Sequence, residues 1–169
     1  GVQRRKALLE QCNLPEEVRL VLVALGGIPA GLPLECWPRR EDVVWLNAGA
    51  VCAGRDDMLD IAATGMEFID VLASCDAVLT KPGYGTYAEA VCNGIPILTL
   101  ARPGWPETTH LNAWARRHGR LEEISASQFQ TGCFMEALES LWMRPAAQPV
   151  QATGIAQAVA IIASYLAQD

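Results

Sequence analysis

VRLVLVALGG, residues 18–27, is a nearly unbroken run of leucine and valine that two glycines stop. A strand with one face in water alternates apolar and polar residues, whereas a run this uniformly apolar suits a strand covered on both faces, as in a parallel sheet. Parallel neighbours need long crossovers between them, and helical patterns supply these along the chain. Val2, Leu8, Leu9 and Cys12 mark a short helix that ends near Asn13 and Pro15. Val43 to Leu46 reads as a second strand and Leu59 to Ala63 as a third, while three prolines leave residues 28–42 without a clear pattern. Phe68, Ile69 and Leu72 then form one helical face ending near Cys75, and Asp76 to Thr80 is a compact strand.

Downstream, a helix running through Val91 meets Asn93-Gly94, a C-terminal stop signal, with Pro96 beyond it. Ile97 to Leu100 is a further strand and Glu107 to Arg117 a helix. Residues 131–142 place Phe134, Ala137, Leu138, Leu141 and Trp142 on one stripe, and residues 155–166 do the same with Ile155, Ala158, Val159, Ile162 and Leu166. Short apolar strands alternating with amphipathic helices predict an α/β protein, a three-layer α/β/α Rossmann-like domain with a mainly parallel sheet. We read a single domain over 1–169 with an internal Pro/Ala/Gln-rich connector at 143–154. Ligands in such sheets bind where strand C-termini meet helix N-termini, so the loops after Leu25, Leu79 and Leu100 are the ones to inspect.

Composition narrows the chemistry. The formal net charge is −6, and Arg4, Arg5 and Lys6 form a basic run too short for a nucleic-acid surface. The six cysteines are widely spaced with no CxxC pair, and there are two histidines, so neither a zinc site nor a redox dithiol is signalled and no metal is expected. Reduced packing thiols are the simpler reading. No stretch reaches the roughly 18 uninterrupted apolar residues of a membrane span. The N-terminus GVQRRKALLEQ lacks a signal-peptide pattern. These features lead us to expect a soluble, cytoplasmic protein, and a start at Gly1 rather than Met suggests a processed chain or a piece of something longer.

The stretch TKPGYGTYAEA, residues 80–90, admits two accounts. Thr86 and Glu89 have the spacing of a capping box, and Gly83 and Gly85 would supply positive φ in a tight turn after Pro82. The same geometry would let a phosphate approach the backbone at a helix N-terminus, with Lys81 beside it. The pattern matches neither GxxxxGK[ST] nor GxGxxG. From the residues alone, the turn is a candidate anion site and no more.

The order of motifs over residues 67–100, EFIDVLASCDAVLTKPGYGTYAEAVCNGIPILTL, resembles the donor-binding C-terminal domain of GT-B glycosyltransferases, most closely the bacterial peptidoglycan N-acetylglucosaminyltransferase type. It is also similar to the glycosyltransferase-like half of some sugar kinases. The shared pattern is an FID-like helix start, a strand headed by aspartate, a glycine loop, T/S-x-x-E, a helix ending in Gly-Pro-like residues, and a strand. VLVALGG, LNAWARRHG and TGIAQAVAIIASYL extend the likeness more weakly toward both ends.

The resemblance implies roles. Glu89 would accept from the two ribose hydroxyls of a nucleotide. Gly83, Tyr84, Gly85 and Thr86 would contact the diphosphate, with Lys81 nearby. Phe68 and Ile69 would edge the base, Gly26 and Gly27 would leave room for phosphate or sugar, and Asn112 matches the donor-sugar asparagine. Thr108 and Thr109 stand where glutamines are usual, which leaves the sugar open.

His110 and Trp105 could face a sugar or pack on the surface, and His118 and Asp76 read as structural. The implied ligand is a UDP-sugar, a substrate rather than a cofactor, and no catalytic residue is identified because the family's general base lies on an N-terminal domain for which this chain has no room. That domain is the partner expected in cis. Two alternatives remain open: a nucleotide-sugar epimerase or hydrolase domain, and a non-catalytic regulatory module fused to a sugar kinase.

Overall fold

The structure is a computed structural model that describes residues 2–26, 32–47, 54–146, 148 and 150–167. Six strands form one all-parallel sheet among these residues: β1 (Arg19–Ala24), β2 (Val43–Asn47), β3 (Met58–Asp60), β4 (Ala77–Thr80), β5 (Ile97–Leu100) and β6 (Leu121–Ile124), in the order β3-β2-β1-β4-β5-β6. The helices are α1 (Val2–Gln11), α2 (Phe68–Leu72), α3 (Tyr84–Cys92), α4 (Thr108–His118), α5 (Ala126–Thr131), α6 (Met135–Met143) and α7 (Gly154–Leu166). This is the expected α/β/α arrangement, with the strand order reversing between β1 and β4.

Alternation along β1 explains the uniform run. Leu20 and Leu22 join a core with Leu8 and Leu9 of α1, Leu72 of α2, and Ala90 and Val91 of α3, while Val21 and Val23 join a second core with Trp37, Phe129, Phe134 and Leu138. Each strand face therefore buries apolar side chains, and the run needs no polar positions. In the second core Trp37 packs against Trp45, Phe129 and Phe134 with ring centroids 5.2–5.6 Å apart.

At the N-terminal edge of the sheet, Asp76 accepts from the Leu20 N–H at 2.7 Å and from Arg5 at 2.9 Å, and Arg5 also donates to the carbonyls of Val18 and Ser74. This fixes α1 to the start of β1 and β4 and gives Asp76 the structural role read from the sequence. On the other flank, Arg55 holds Asp57 through two bonds of 2.7 and 2.6 Å and donates to the carbonyls of Leu34, Trp37 and Pro38. Burial alone would push the Asp57 carboxyl up, but the Arg55 hydrogen bonds and charge outweigh it and hold the group below the usual carboxylate range.

Several sequence expectations change. The third strand ends at Asp60, and residues 61–64 form a 3₁₀ turn capped by the Asp60 side chain on the Ala62 N–H. α2 stops at Leu72, short of Cys75, and buries Val71 and Leu72 rather than Ile69. β6 and α5 carry no strong sequence pattern: LEEI contains two charges, and the short α5 announces itself only by the Ser125–Gln128 capping box. The stripe read from residue 131 is broken, because Gly132 turns at φ +74° between α5 and α6. The largest departure is α7, whose apolar stripe is real but entirely exposed.

The Asn93-Gly94 stop forms as expected. Gly94 sits at φ +71°, its N–H reaches the Val91 carbonyl at 3.1 Å, and the Ile95 N–H reaches Ala90 at 2.9 Å, the paired bonds of a Schellman motif. α3 is locked to the sheet by polar contacts. The buried Tyr87 hydroxyl lies 2.8 Å from Asn112 Oδ1 and 2.6 Å from Thr99 Oγ1, and Asn112 Nδ2 donates to Glu123 at 2.5 Å. The amide oxygen carries no proton, so Tyr87 donates to it and Thr99 donates to Tyr87. Burial pushes the Tyr87 phenol up to about 12, with Glu123 adding to the effect.

Two outcomes follow from this packing. A Cβ at Gly132 would stand 2.0 Å from the Cys36 carbonyl oxygen in a left-handed conformation, so Gly132→Ala is expected to lose about 2–3 kcal/mol in urea unfolding. A loss below ~0.5 kcal/mol would show that the two segments are not held together. For Tyr87, a folded value above the ordinary 10 means stability is fully present below pH 10 and declines as pH rises toward 12. Tyr87→Phe should cost about 1–2 kcal/mol at pH 7, through the partners it leaves unpaired, and should flatten that alkaline decline in thermal melts. An unchanged alkaline slope would assign the titration to another group.

Candidate functional site

The parallel sheet brings the ends of β1 and β4 together at its reversal point. Ala24 pairs with Thr80, and the Thr80 hydroxyl donates to the Ala24 carbonyl at 2.7 Å. Lys81 then reaches across to the Gly26 carbonyl, so two residues named from the sequence meet directly. Gly26 has φ +26°, a conformation that a side chain disfavours. Gly27 lies outside the described residues.

The glycine turn differs from both accounts in detail. α3 begins at Tyr84, with Gly83 as its N-cap at φ −165°, an extended conformation open to any residue. Gly85 is inside the first helical turn, and neither glycine has positive φ. Thr86 and Glu89 are therefore both helical, and the capping box they were expected to form is absent: no side chain caps α3. The reason is that Thr86 sits three residues inside the helix, where its own N–H already belongs to the first turn. The N–H groups of Tyr84, Gly85 and Thr86 are the unsatisfied donors at the positive end of a nine-residue helix. A Cβ at Gly85 would meet nothing within 4 Å, so the glycine leaves the approach to this turn uncovered.

Glu89 lies one turn further along, half-buried, on the same side as Thr86. Its carboxylate has no hydrogen-bond or ion-pair partner among the described residues. Phe68 and Ile69 start α2, where Phe68 is half-buried and Ile69 is 38% exposed. Asn112 is brought to the same end of the molecule but is 3% exposed, with both ends of its amide engaged by Tyr87 and Glu123. It braces α4 against α3 in this structure.

Beside the turn, Tyr84, Tyr87, Ala88, His110, Leu111 and Trp114 line a groove of about 280 Å³ between α3 and α4. The sequence reading named Tyr84 and His110 but passed over Trp114, whose i+4 spacing from His110 on one helix was the available signal. Trp105 is 43% exposed and carries the Arg102 guanidinium 4.1 Å above its ring, while His118 rests 5.4 Å from the Trp114 ring. Among the described residues no group of three or more His, Cys, Asp or Glu is placed to hold a metal ion.

No protein-family profile matches the chain. A curated relative, L-arabinokinase of Arabidopsis thaliana, is 27% identical over 115 residues, covering 63% of this chain and 10% of its own length. Similar solved structures include the glycotransferase of kitacinnamycin (TM-score 0.60, 17% identity, 78% of this chain and 37% of that one) and the spinosyn forosaminyltransferase SpnP (TM-score 0.59, 14% identity, 79% and 37%). The glycosyltransferase SnogD from Streptomyces nogalater is similar over 89% of this chain and 45% of its own, with TM-score 0.51 and 16% identity. The chain thus spans about a tenth of the curated relative and less than half of each structural neighbour. At these identities the likeness is one of fold: the six-stranded parallel sheet wrapped by helices is a fold shared with part of each of these glycosyltransferases.

Proposed function

We propose that this chain binds a nucleotide-diphosphate sugar, UDP-linked, as the donor half of a glycosyltransferase-like protein that transfers a hexosyl or N-acetylhexosaminyl group. The observation that carries the reading is the uncapped first turn of α3, flanked by Lys81 and Gly26 at the strand reversal, with the unpaired Glu89 carboxylate one turn further on. Three backbone N–H groups and an ammonium suit a diphosphate, and a free carboxylate suits a ribose diol. Phe68 and Ile69 are the residues we assign to the base.

In this role the domain forms no bond to the sugar. It orients the donor and stabilises the charge that grows on the departing diphosphate, through donors already fixed in place by the α3 backbone. Lys81 adds a cation on releasing the Gly26 carbonyl. The proton acceptor for the acceptor hydroxyl belongs to the N-terminal domain we infer in cis. Support for that domain comes from α7: Gly154–Leu166 contains no charged residue, and Ile155, Val159, Ile162 and Leu166, at 4-3-4 spacing, are 59–85% exposed. Covering such side chains is worth roughly 1.5–3 kcal/mol each, so the stripe fits a surface that another body covers. Among the described residues no helix is long and apolar enough to cross a membrane.

A second reading, a regulatory module within a sugar kinase, draws on the L-arabinokinase relative. The rest of the gene separates the two: an α/β domain before Gly1 favours transfer, and a kinase domain favours the module.

Calorimetric titration should detect UDP and UDP-glucose, and Glu89→Gln should weaken both about tenfold with the melting temperature within ~2 °C of wild type. Absence of nucleotide binding at millimolar concentration would refute the donor reading. A Glu89→Gln variant that melts earlier yet binds as before would return Glu89 to a helix-stabilising role. For α7, the double substitution Ile155→Glu/Ile162→Glu should leave the melting temperature within about 1–2 °C while reducing self-association on size-exclusion chromatography. Early unfolding of that variant would mean α7 packs on this domain after all.

A further inference from the structure

We infer that Asn47, a residue not assigned above, is a ligand-recognising side chain at the C-terminal edge of the sheet. It closes β2 after four buried apolar residues and is itself 1% exposed. Its register partners are Val23 on β1 and Asp60 on β3, which sets it one strand from the junction where Gly26 and Lys81 meet. By alternation it points to the face that carries Val43 and Trp45. Both Oδ1 and Nδ2 are buried with no partner among the described residues.

Other buried polar side chains of the domain behave differently. Thr80 bonds the Ala24 carbonyl, Thr99 and Asn112 bond Tyr87, and Arg55 binds Asp57 and three carbonyls. Trp37 Nε1 and Thr108 Oγ1 are each one buried atom without a partner, and Arg120, whose Nε is unpaired, bonds through its other nitrogens. Asn47 is the member of this set that leaves two such atoms, a donor and an acceptor, without a partner among the described residues. A leucine of similar volume would complete the apolar strand without that penalty, so the free domain carries an avoidable cost at the edge where ligands of this fold bind.

A carboxamide is neutral and presents donors and an acceptor side by side. Its complement is a neutral group that both donates and accepts, either the imide edge of a uracil-type base or the hydroxyl and amide groups of the sugar. Phosphate is left to Lys81 and α3. This inference rests on the nucleotide-sugar reading.

The test compares wild type, Asn47→Leu and Asn47→Ala by thermal unfolding without ligand and by calorimetry with UDP, UDP-glucose and UDP-N-acetylglucosamine. Asn47→Leu should melt about 3–6 °C higher and bind at least tenfold more weakly. Weakening toward UDP and the UDP-sugars alike assigns the contact to the base, and weakening toward UDP-sugars alone assigns it to the sugar. A lower melting temperature for Asn47→Leu would overturn the inference, because it would mean the amide is satisfied in the free protein. Either variant binding all three compounds as wild type does would also overturn it while leaving the donor reading intact. Failure of wild type itself to bind any of them would refute that reading and this one together.

Discussion

A parallel ladder imposes one direction on every strand, and most of what this domain presents follows from it. Because β1 pairs with β2 on one side and β4 on the other in the same sense, all six C-termini emerge on one edge and all N-termini on the other. The two edges are specialised accordingly. At the entry edge, charged groups are consumed in structure: Arg5 and Asp76 tie α1 to β1 and β4 through carbonyls, an amide and each other. At the exit edge the first turn of α3 has no side-chain cap, and Glu89 and the buried Asn47 amide have no partner among the described residues. A folded chain pairs its buried polar groups wherever it can, so these unpartnered groups are the observation on which the proposed donor site rests.

How much of this was legible in the sequence depended on how local the governing interaction is. β1, β2, β4 and β5 were readable because burial on both faces writes itself into consecutive residues. The α3 terminus was readable because Asn93-Gly94 builds its bonds within six residues. β6 was not, because Leu121 and Ile124 are the only buried positions of a strand that exposes Glu123 at the sheet edge. The capping box at Thr86 and Glu89 was a local rule that a non-local one overrode. Tyr87 meets Thr99 and Asn112, and the helix that carries it starts at Tyr84, which puts Thr86 inside the first turn. The site was legible as a set of residues and illegible as a geometry: Lys81 and Gly26 are 55 positions apart, and only the sheet brings them into contact.

The same override bears on how the turn can work. A side-chain cap would have met one donor of α3 and placed a threonine hydroxyl in front of the others. Without it the helix is held elsewhere: by the Tyr87 contacts below, the local Schellman bonds behind and Asn112 bracing α4 alongside. That arrangement fixes the helix while its first-turn N–H groups carry no side-chain cap, the feature on which the proposed charge-stabilising role rests. Stability is drawn from the far end and the underside of the helix, so the near end can remain open.

α7 carries the same logic to the scale of the domain. Its stripe has the periodicity of a core helix, yet the two cores flanking the sheet are built from α1 to α6 and the 3₁₀ segment at Leu34–Cys36, and no residue of α7 is buried. A helix with no charge and a continuous apolar seam is poorly suited to water, and its sequence makes sense as half of an interface.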